Sequence, residues 1–212
     1  MSKLVVKDLA GPASSSNKIF IASGSELDIA NSSGTINLAV DAGDIASGTL
    51  SNARLAAGTI IQVKYASKTD TQLITSTSYA DITDLSVSIT PTSTSSKILL
   101  IWSVVTGQDN NTGHCYVVPA RDSTDNIFIA DSASSRTSAS NVGNMPYGNS
   151  AMQILSNSFL DSPSTTSATT YKMRLKSSNG TDIFINRSDR DNDAAAFDGR
   201  ACSSFIVMEV KA

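Results

Sequence analysis

The amino-acid sequence predicts an all-β protein, in which a jelly-roll-like β-sandwich head follows an extended, fibrous leader of short strands. Apolar residues alternate with polar ones in short runs and do not recur at the spacing of a helix. Clusters of Gly, Pro, Asn and Ser, which favour turns, separate these runs. About a quarter of the 212 residues are Ser or Thr, and only 17% are charged, which suits strands that stack closely.

The composition excludes several classes of protein. A net charge of -3 and a pI of about 5.0 provide no broad basic surface for nucleic acid. No apolar run approaches the roughly 20 residues that a membrane span needs, and charges interrupt the first residues too early for a secretory signal. The sequence therefore predicts neither a nucleic-acid partner nor a membrane span.

A change of composition near residue 58 predicts two parts, an anchor and shaft over residues 1–57 and a head over residues 58–212. In the first part, short apolar pieces lie between turns, and such strands bury too little surface to be stable alone. Residues 33–36 recur at 47–50, which indicates either a repeated fibrous element or a coincidence in a Ser- and Gly-rich tract.

The head contains longer runs with the pattern of strands. They are residues 59–65, 85–90, 97–105, 115–118, 126–130, 152–160, 171–176, 182–186 and 203–210. Strict alternation predicts that Leu85, Val87 and Ile89 face the core, whereas Lys172, Arg174 and Lys176 face outward. Residues 97–105 are almost continuously apolar, which predicts a central strand buried on both faces, with Trp102 in the core.

The short strands of the leader need a partner, and identical copies of the chain are the simplest one. Three intertwined copies would let every short strand pair and would close exposed sheet edges. The alternative is a monomeric sandwich with a disordered leader.

Several motifs resemble those of small tail-fibre-type virion proteins of tailed bacteriophages, especially marine phages. The similar segments are residues 1–11, residues 44–55 with their SGTL-x-x-ARL element, residues 58–63, 75–79, 88–99 and 203–210. Residues 108–170 resemble nothing in that family, as expected for variable loops. The resemblance implies a homotrimeric virion fibre that attaches by its N-terminus to another virion structural protein and exposes its head.

The resemblance implies a location on the outside of the virion, after synthesis in the host cytoplasm. The first functional prediction is a tail-associated fibre that binds a host-surface polysaccharide. The alternative is a structural fibre or decoration protein, anchored on the capsid or neck, that does not recognise a receptor.

Residues 141–150 form the best candidate for receptor contact. This segment contains Tyr147, whose ring could stack on a sugar, and amides such as Asn144 and Asn149 that could bond its hydroxyl groups. The alternative is an ordinary connecting loop.

The sequence does not favour an enzyme, a metal site or a cofactor. His114 is the one histidine, and its neighbour Cys115 would point to the opposite face of a strand, which disfavours a His–Cys pair. Aspartates in residues 189–198 resemble a calcium loop, but Ala194 and Arg200 stand where that loop needs Gly and Glu. Arg187, Arg190 and Arg200 could neutralise these carboxylates instead. Cys115 and Cys202 are expected to be buried, reduced thiols, although a bridge between them stays open.

Overall fold

Ten strands form two antiparallel sheets in the part of the chain that the structure, a computed structural model, describes: residues 52–108, 113–124, 126–144, 150–193 and 196–212. The strands are β1 (Ile60–Lys68), β2 (Gln72–Ile74), β3 (Ala80–Ile89), β4 (Lys97–Gln108), β5 (Cys115–Arg121), β6 (Asn141–Gly143), β7 (Gln153–Asp161), β8 (Thr169–Ser177), β9 (Ile183–Ile185) and β10 (Ser203–Val210). A 3-10 turn, Asn52–Arg54, precedes them. Within these residues, no helix has the length and apolar character to cross a membrane.

The first sheet has the order β1–β10–β4–β9–β2, with β7 also paired to β4, and the second has the order β3–β8–β5–β6. Strands β9 and β10 pair with successive parts of the same side of β4, because β7 occupies the other side. Strands β2 and β1 continue this arrangement beside β9 and β10. Strands β1 and β2 therefore share one strand position, as do β10 and β9. With β4 and β7, the first sheet has four strand positions.

The pairing is nested along the chain. The β1–β2 segment pairs with β9–β10, β3 with β8, β4 with β7, and β5 with β6. A long antiparallel hairpin has thus been rolled into two facing sheets of four strand positions each, which is the arrangement of a jelly roll. The predicted all-β, jelly-roll-like head is confirmed. The predicted leader, residues 1–57, lies almost wholly outside the described residues, so the leader and its boundary stay predictions.

The core lies between the two sheets, where alternate residues of every long strand meet. Leu85, Val87 and Ile89 of β3 are buried there, as their alternation predicts, and Trp102 of β4 is only 1% exposed. A polar contact also crosses the core: Asp161 of β7 accepts hydrogen bonds of 2.6 Å from both Arg121 of β5 and Tyr171 of β8. This contact links the first sheet to two strands of the second.

Two predictions about strand positions are wrong. Residues 126–130, predicted as a strand, lie in the long connection between β5 and β6, because Phe128 turns inward and stacks on Phe159 with ring centroids 4.7 Å apart. Residues 141–143, predicted as part of a loop, form the edge strand β6. Its first residue is fixed by the Trp102 indole, which donates a 2.9 Å hydrogen bond to the side chain of Asn141.

The cysteine prediction needs one correction. Both thiols are free, and Cys115 is buried as expected, but Cys202 is exposed. Cys202 immediately precedes β10 and belongs to the connection that leaves the sheet after β9, so it is not held within the core.

The prediction that β4 is buried on both faces is also wrong for its outer face. The outward residues Leu99 and Ile101 are only half-buried, although β4 is central in its sheet. They form part of an apolar surface on the outside of the first sheet, called here the apolar face: Val63, Tyr65, Leu99, Ile101, Leu160, Ile206 and Met208. No element among the described residues covers these side chains completely.

Candidate functional site

The two ends of the sandwich carry different segments. At the proximal end, the first described residues meet the end of β10, where the Gly58 amide donates a 2.7 Å hydrogen bond to the Lys211 carbonyl. The opposite, distal end carries the described parts of the connections β2–β3, β4–β5, β6–β7 and β8–β9, because these follow strands that run away from β1's first residue. A head that is held at its proximal end therefore presents the distal connections.

Contacts between the distal connections hold them in place. The Ser178 amide donates a 2.8 Å hydrogen bond to the His114 carbonyl, and the His114 amide donates a 2.9 Å bond to the Ser178 hydroxyl. The Ser177 amide donates to the Ser76 carbonyl at 2.8 Å. The described parts of the β2–β3, β4–β5 and β8–β9 connections thus form one continuous surface.

One of the three predicted contact residues is described. Asn144 follows β6 at the distal end, and its side chain is exposed. Its backbone amide donates a 3.1 Å hydrogen bond to the side chain of Gln153, the first residue of β7. Tyr147 and Asn149 lie outside the described residues, so their roles stay predictions.

Beside Asn144, the outer face of the second sheet carries a group of side chains called here the aromatic corner: Tyr79, Tyr116, Val142 and Lys176. The register places Tyr116 between Lys176 and Val142 on neighbouring strands. The Lys176 ammonium lies 5.0 Å from the centre of the Tyr79 ring and 5.4 Å from that of Tyr116. Both distances are within the range of a cation–π interaction.

Neighbouring cations on β8 have different partners. Asp81 of β3 accepts a 2.9 Å ion pair from Lys172 and a 2.7 Å ion pair from Arg174. The outward direction of all three β8 cations agrees with the predicted alternation, because Tyr171, Met173 and Leu175 between them are buried in the core. Lys176, at the distal end of the same row, contacts two aromatic rings.

The aromatic corner can bind a ligand by two kinds of contact. The half-buried tyrosine rings and the Val142 side chain, 48% exposed, supply apolar surface. The Lys176 ammonium and the amide of Asn144, two residues after Val142, supply hydrogen bonds. This mixture of flat apolar surface and a few polar groups suits a sugar. A comparison of the chain with protein-family models and with curated protein sequences finds no match. The match between the aromatic corner and a sugar therefore depends on the residues of the corner alone.

The sequence did not reveal the aromatic corner, because Tyr79, Tyr116 and Lys176 are far apart along the chain. The alternation of the strands could have shown which of these side chains point outward. Lys176 continues the outward row of β8, and Tyr116 follows the buried Cys115 and so points to the outer face. Only the pairing of β5 with β8 brings the two side chains together.

The neighbouring side chains of His114 and Cys115 have different surroundings. His114 is exposed, whereas Cys115 is buried and faces the core. Burial raises the pKa of the Cys115 thiol to about 11, so this sulfur is protonated at neutral pH and is not an activated nucleophile. The two side chains lie on opposite sides of the strand, as the sequence predicts.

Two aspartates of residues 189–198, Asp191 and Asp198, are paired with arginines. Arg190 makes a 2.7 Å ion pair with Asp198, and Arg200 makes a 2.9 Å ion pair with Asp191. Asp198 also accepts a 3.1 Å hydrogen bond from Ser188. For these two carboxylates the structure agrees with the alternative in which arginines neutralise them. Among the described residues, no group of three or more His, Cys, Asp or Glu side chains could hold a metal ion.

Proposed function

We propose that this chain is a virion fibre protein of a tailed bacteriophage and that its head binds a polysaccharide of the host surface. The resemblance of its motifs to tail-fibre-type proteins supports the class of protein. The position of the aromatic corner supports the binding role. On this proposal the chain acts by binding and not by catalysis.

The observation that carries the proposal is the position of Tyr116, Lys176 and Asn144 at the distal end of the head. The first described residues, where the chain continues from residues 1–51, lie at the proximal end. A fibre anchored by its N-terminal segment to another virion protein would hold the proximal end inward. The aromatic corner would then face the host, with the copies of the head in a homotrimer presenting it three times.

A binding assay on an array of immobilised bacterial surface polysaccharides tests this proposal. The full-length chain is expected to bind some members of the array, and Tyr116→Ala or Lys176→Ala should weaken that binding by about tenfold, which corresponds to about 1.4 kcal/mol. Removing the ring takes away stacking area, and removing the ammonium takes away hydrogen-bond donors.

Two substitutions elsewhere provide matched controls. Phe197→Ala removes an aromatic ring that is 69% exposed in the β9–β10 connection, and Lys64→Ala removes an exposed lysine of β1. Neither should change binding. Equal effects of all four substitutions would contradict a site at the aromatic corner.

The binding assay, together with immunogold labelling of virions, separates the attachment role from the structural alternative. A chain that binds no polysaccharide, and that immunogold labelling locates on capsids or necks, would favour a decoration protein without receptor recognition. Labelling at tails, together with the loss of binding in the corner variants, would favour the attachment role.

A further inference from the structure

The central part of the outer face of the first sheet, across β1, β10, β4 and β7, is uncharged and largely apolar. One row of the sheet runs through Val63, Met208, Leu99 and Leu160. The next runs through Tyr65, Ile206 and Ile101 and ends at the polar Ser158 of β7. Of these, Val63 is 57% exposed, Tyr65 62% and Leu160 51%. Contiguous apolar surface of this kind on a folded protein marks an interaction site.

The boundary of the apolar face is polar. On its distal side, the register aligns four serines, Ser67, Ser204, Ser103 and Ser156, in one row across the sheet. Among the outward positions of β1, β4, β7 and β10, Lys97 is the one charged residue, and it lies at the proximal end. An apolar centre with a polar rim is the composition of a protein–protein interface.

The outer face of the second sheet has the opposite character. It carries the ion pairs of Asp81 with Lys172 and Arg174, and the lysine of the aromatic corner. Both sheets bury their inner faces in the same core. Folding of the single chain therefore does not account for the difference between their outer faces. The charged face suits solvent, whereas the neutral face suits a surface that is removed from water.

The neutral character of the apolar face points to a second copy of the chain as its partner. A charged partner would have to bury its charges against a surface that offers none in return, which costs free energy. A second copy presents the same uncharged, apolar surface. The apolar run of β4 agrees with this partner, because continuous apolar strands are typical of sheets covered on both faces.

We infer that the apolar face joins copies of this chain in the assembled protein. The inference rests on the self-associating fibre proposed above, but it assigns the contact to the head, in addition to any contact between leaders. The aromatic corner lies on the opposite sheet and stays accessible in such an assembly.

Light scattering on charged variants of the full-length chain tests the inference. Val63→Glu together with Leu160→Glu places two carboxylates at exposed positions near opposite edges of the apolar face. The wild type should have a multiple of the 22.1 kDa monomer mass, and the double variant should be a monomer at the same concentration. The matched control is Ile129→Glu, a change at an exposed aliphatic residue of the β5–β6 connection, which should keep the wild-type mass.

Thiol labelling identifies what covers the face. In a Cys202→Ser background, the thiol of Tyr65→Cys should react with a maleimide at least tenfold more slowly than the thiol of Ser88→Cys. Ser88 is an exposed residue of β3 on the outer face of the second sheet. Adding Val63→Glu and Leu160→Glu should make the thiol at position 65 react rapidly. The same change should lower the measured mass to that of the monomer. Trp102 fluorescence, which reports the core, should be unchanged in every variant.

Three outcomes would overturn the inference. Rapid labelling at position 65 in a multimeric protein would place the contact on another surface, and slow labelling in a monomer would show that residues 1–51 of the same chain cover the face. A double variant that keeps its mass would show that the face is not needed for assembly. None of these readouts involves polysaccharide, so a failure of the attachment proposal is distinguishable from a failure here.

Discussion

At the scale of single residues, the most unusual side chain is the carboxylate of Glu209 in β10, which is fully buried. One carboxylate oxygen accepts hydrogen bonds from the amide and the hydroxyl of Thr92 at 2.6 and 2.7 Å, and the other accepts one from Gln62 at 3.1 Å. Burial alone would raise the pKa of Glu209, but the hydrogen bonds from Thr92 and Gln62 outweigh it and hold the pKa below its usual value.

We predict that Glu209→Gln lowers the free energy of unfolding by about 1–2 kcal/mol at pH 7, because an amide cannot replace every accepted hydrogen bond. The lowered pKa fixes the sign of the pH dependence. The carboxylate contributes to the free energy of unfolding at pH values above its usual pKa of about 4.3. This contribution is lost as the pH falls through the lower pKa of the folded state. Urea unfolding at pH 7 and at about pH 3 should therefore show the difference between wild type and variant shrinking in acid. A difference that grows in acid would contradict this account.

At the scale of structural elements, the β9–β10 connection depends on a glycine of β4. This connection, residues 186–202, passes directly over Gly107, where an added Cβ would lie 2.3 Å from the Arg187 carbonyl oxygen and 3.0 Å from the Ser188 Cα. Both are backbone atoms, so the contact is not relieved by turning a side chain. The absence of a side chain at this position lets the interrupted strand leave the sheet and return to it.

We predict that Gly107→Ala lowers the free energy of unfolding by about 2–3 kcal/mol, because it overpacks this crossing. The matched control is Gly199→Ala, whose Cβ would lie 3.3 Å from the terminal methyl group of Met152. A flexible side chain can move away, so the control should cost less than about 1 kcal/mol. Thermal unfolding at equal protein concentration measures both, and equal losses would argue against a rigid crossing.

The elements also show what sequence can and cannot predict. The alternation of β3 and β8 identified strands and the direction of their side chains, because period-2 patterning reports burial directly. Residues 126–130 were misassigned since the inward turn of Phe128 depends on Trp102 and Phe159, which are distant in sequence. The three-residue β6 contains Asn and Gly, which are typical of loops. The aromatic corner needed strand pairing that no local pattern encodes.

At the scale of the whole molecule, the two outer faces divide the proposed roles. The second sheet carries charges and the aromatic corner, and the first carries the apolar face. Assembly through one sheet leaves the other for a ligand. This division explains how a small head could self-associate and attach at the same time.

We predict that assembly through the apolar face is insensitive to sodium chloride between about 0.05 and 0.5 M, because screening acts on charges that this face lacks. Ammonium sulfate should strengthen it, because excluded salts favour apolar burial. Light scattering over a dilution series in each salt measures the association. Dissociation by sodium chloride would indicate an interface held by ion pairs.

The nested pairing of the strands has a consequence for the order of synthesis. The innermost pair, β5 with β6, can form as soon as both strands have left the ribosome, but β1 pairs with β10 through contacts such as Lys68 with Ser203. Strand β1 must therefore wait for almost the whole head to be translated, and long-range pairing of this kind is slow. Until β10 has been translated, the strand edges of β1 and β4 that later pair with it can pair with other chains instead. A ribosome that pauses shortly before residue 203 would thus prolong the period in which nascent heads are most prone to aggregate.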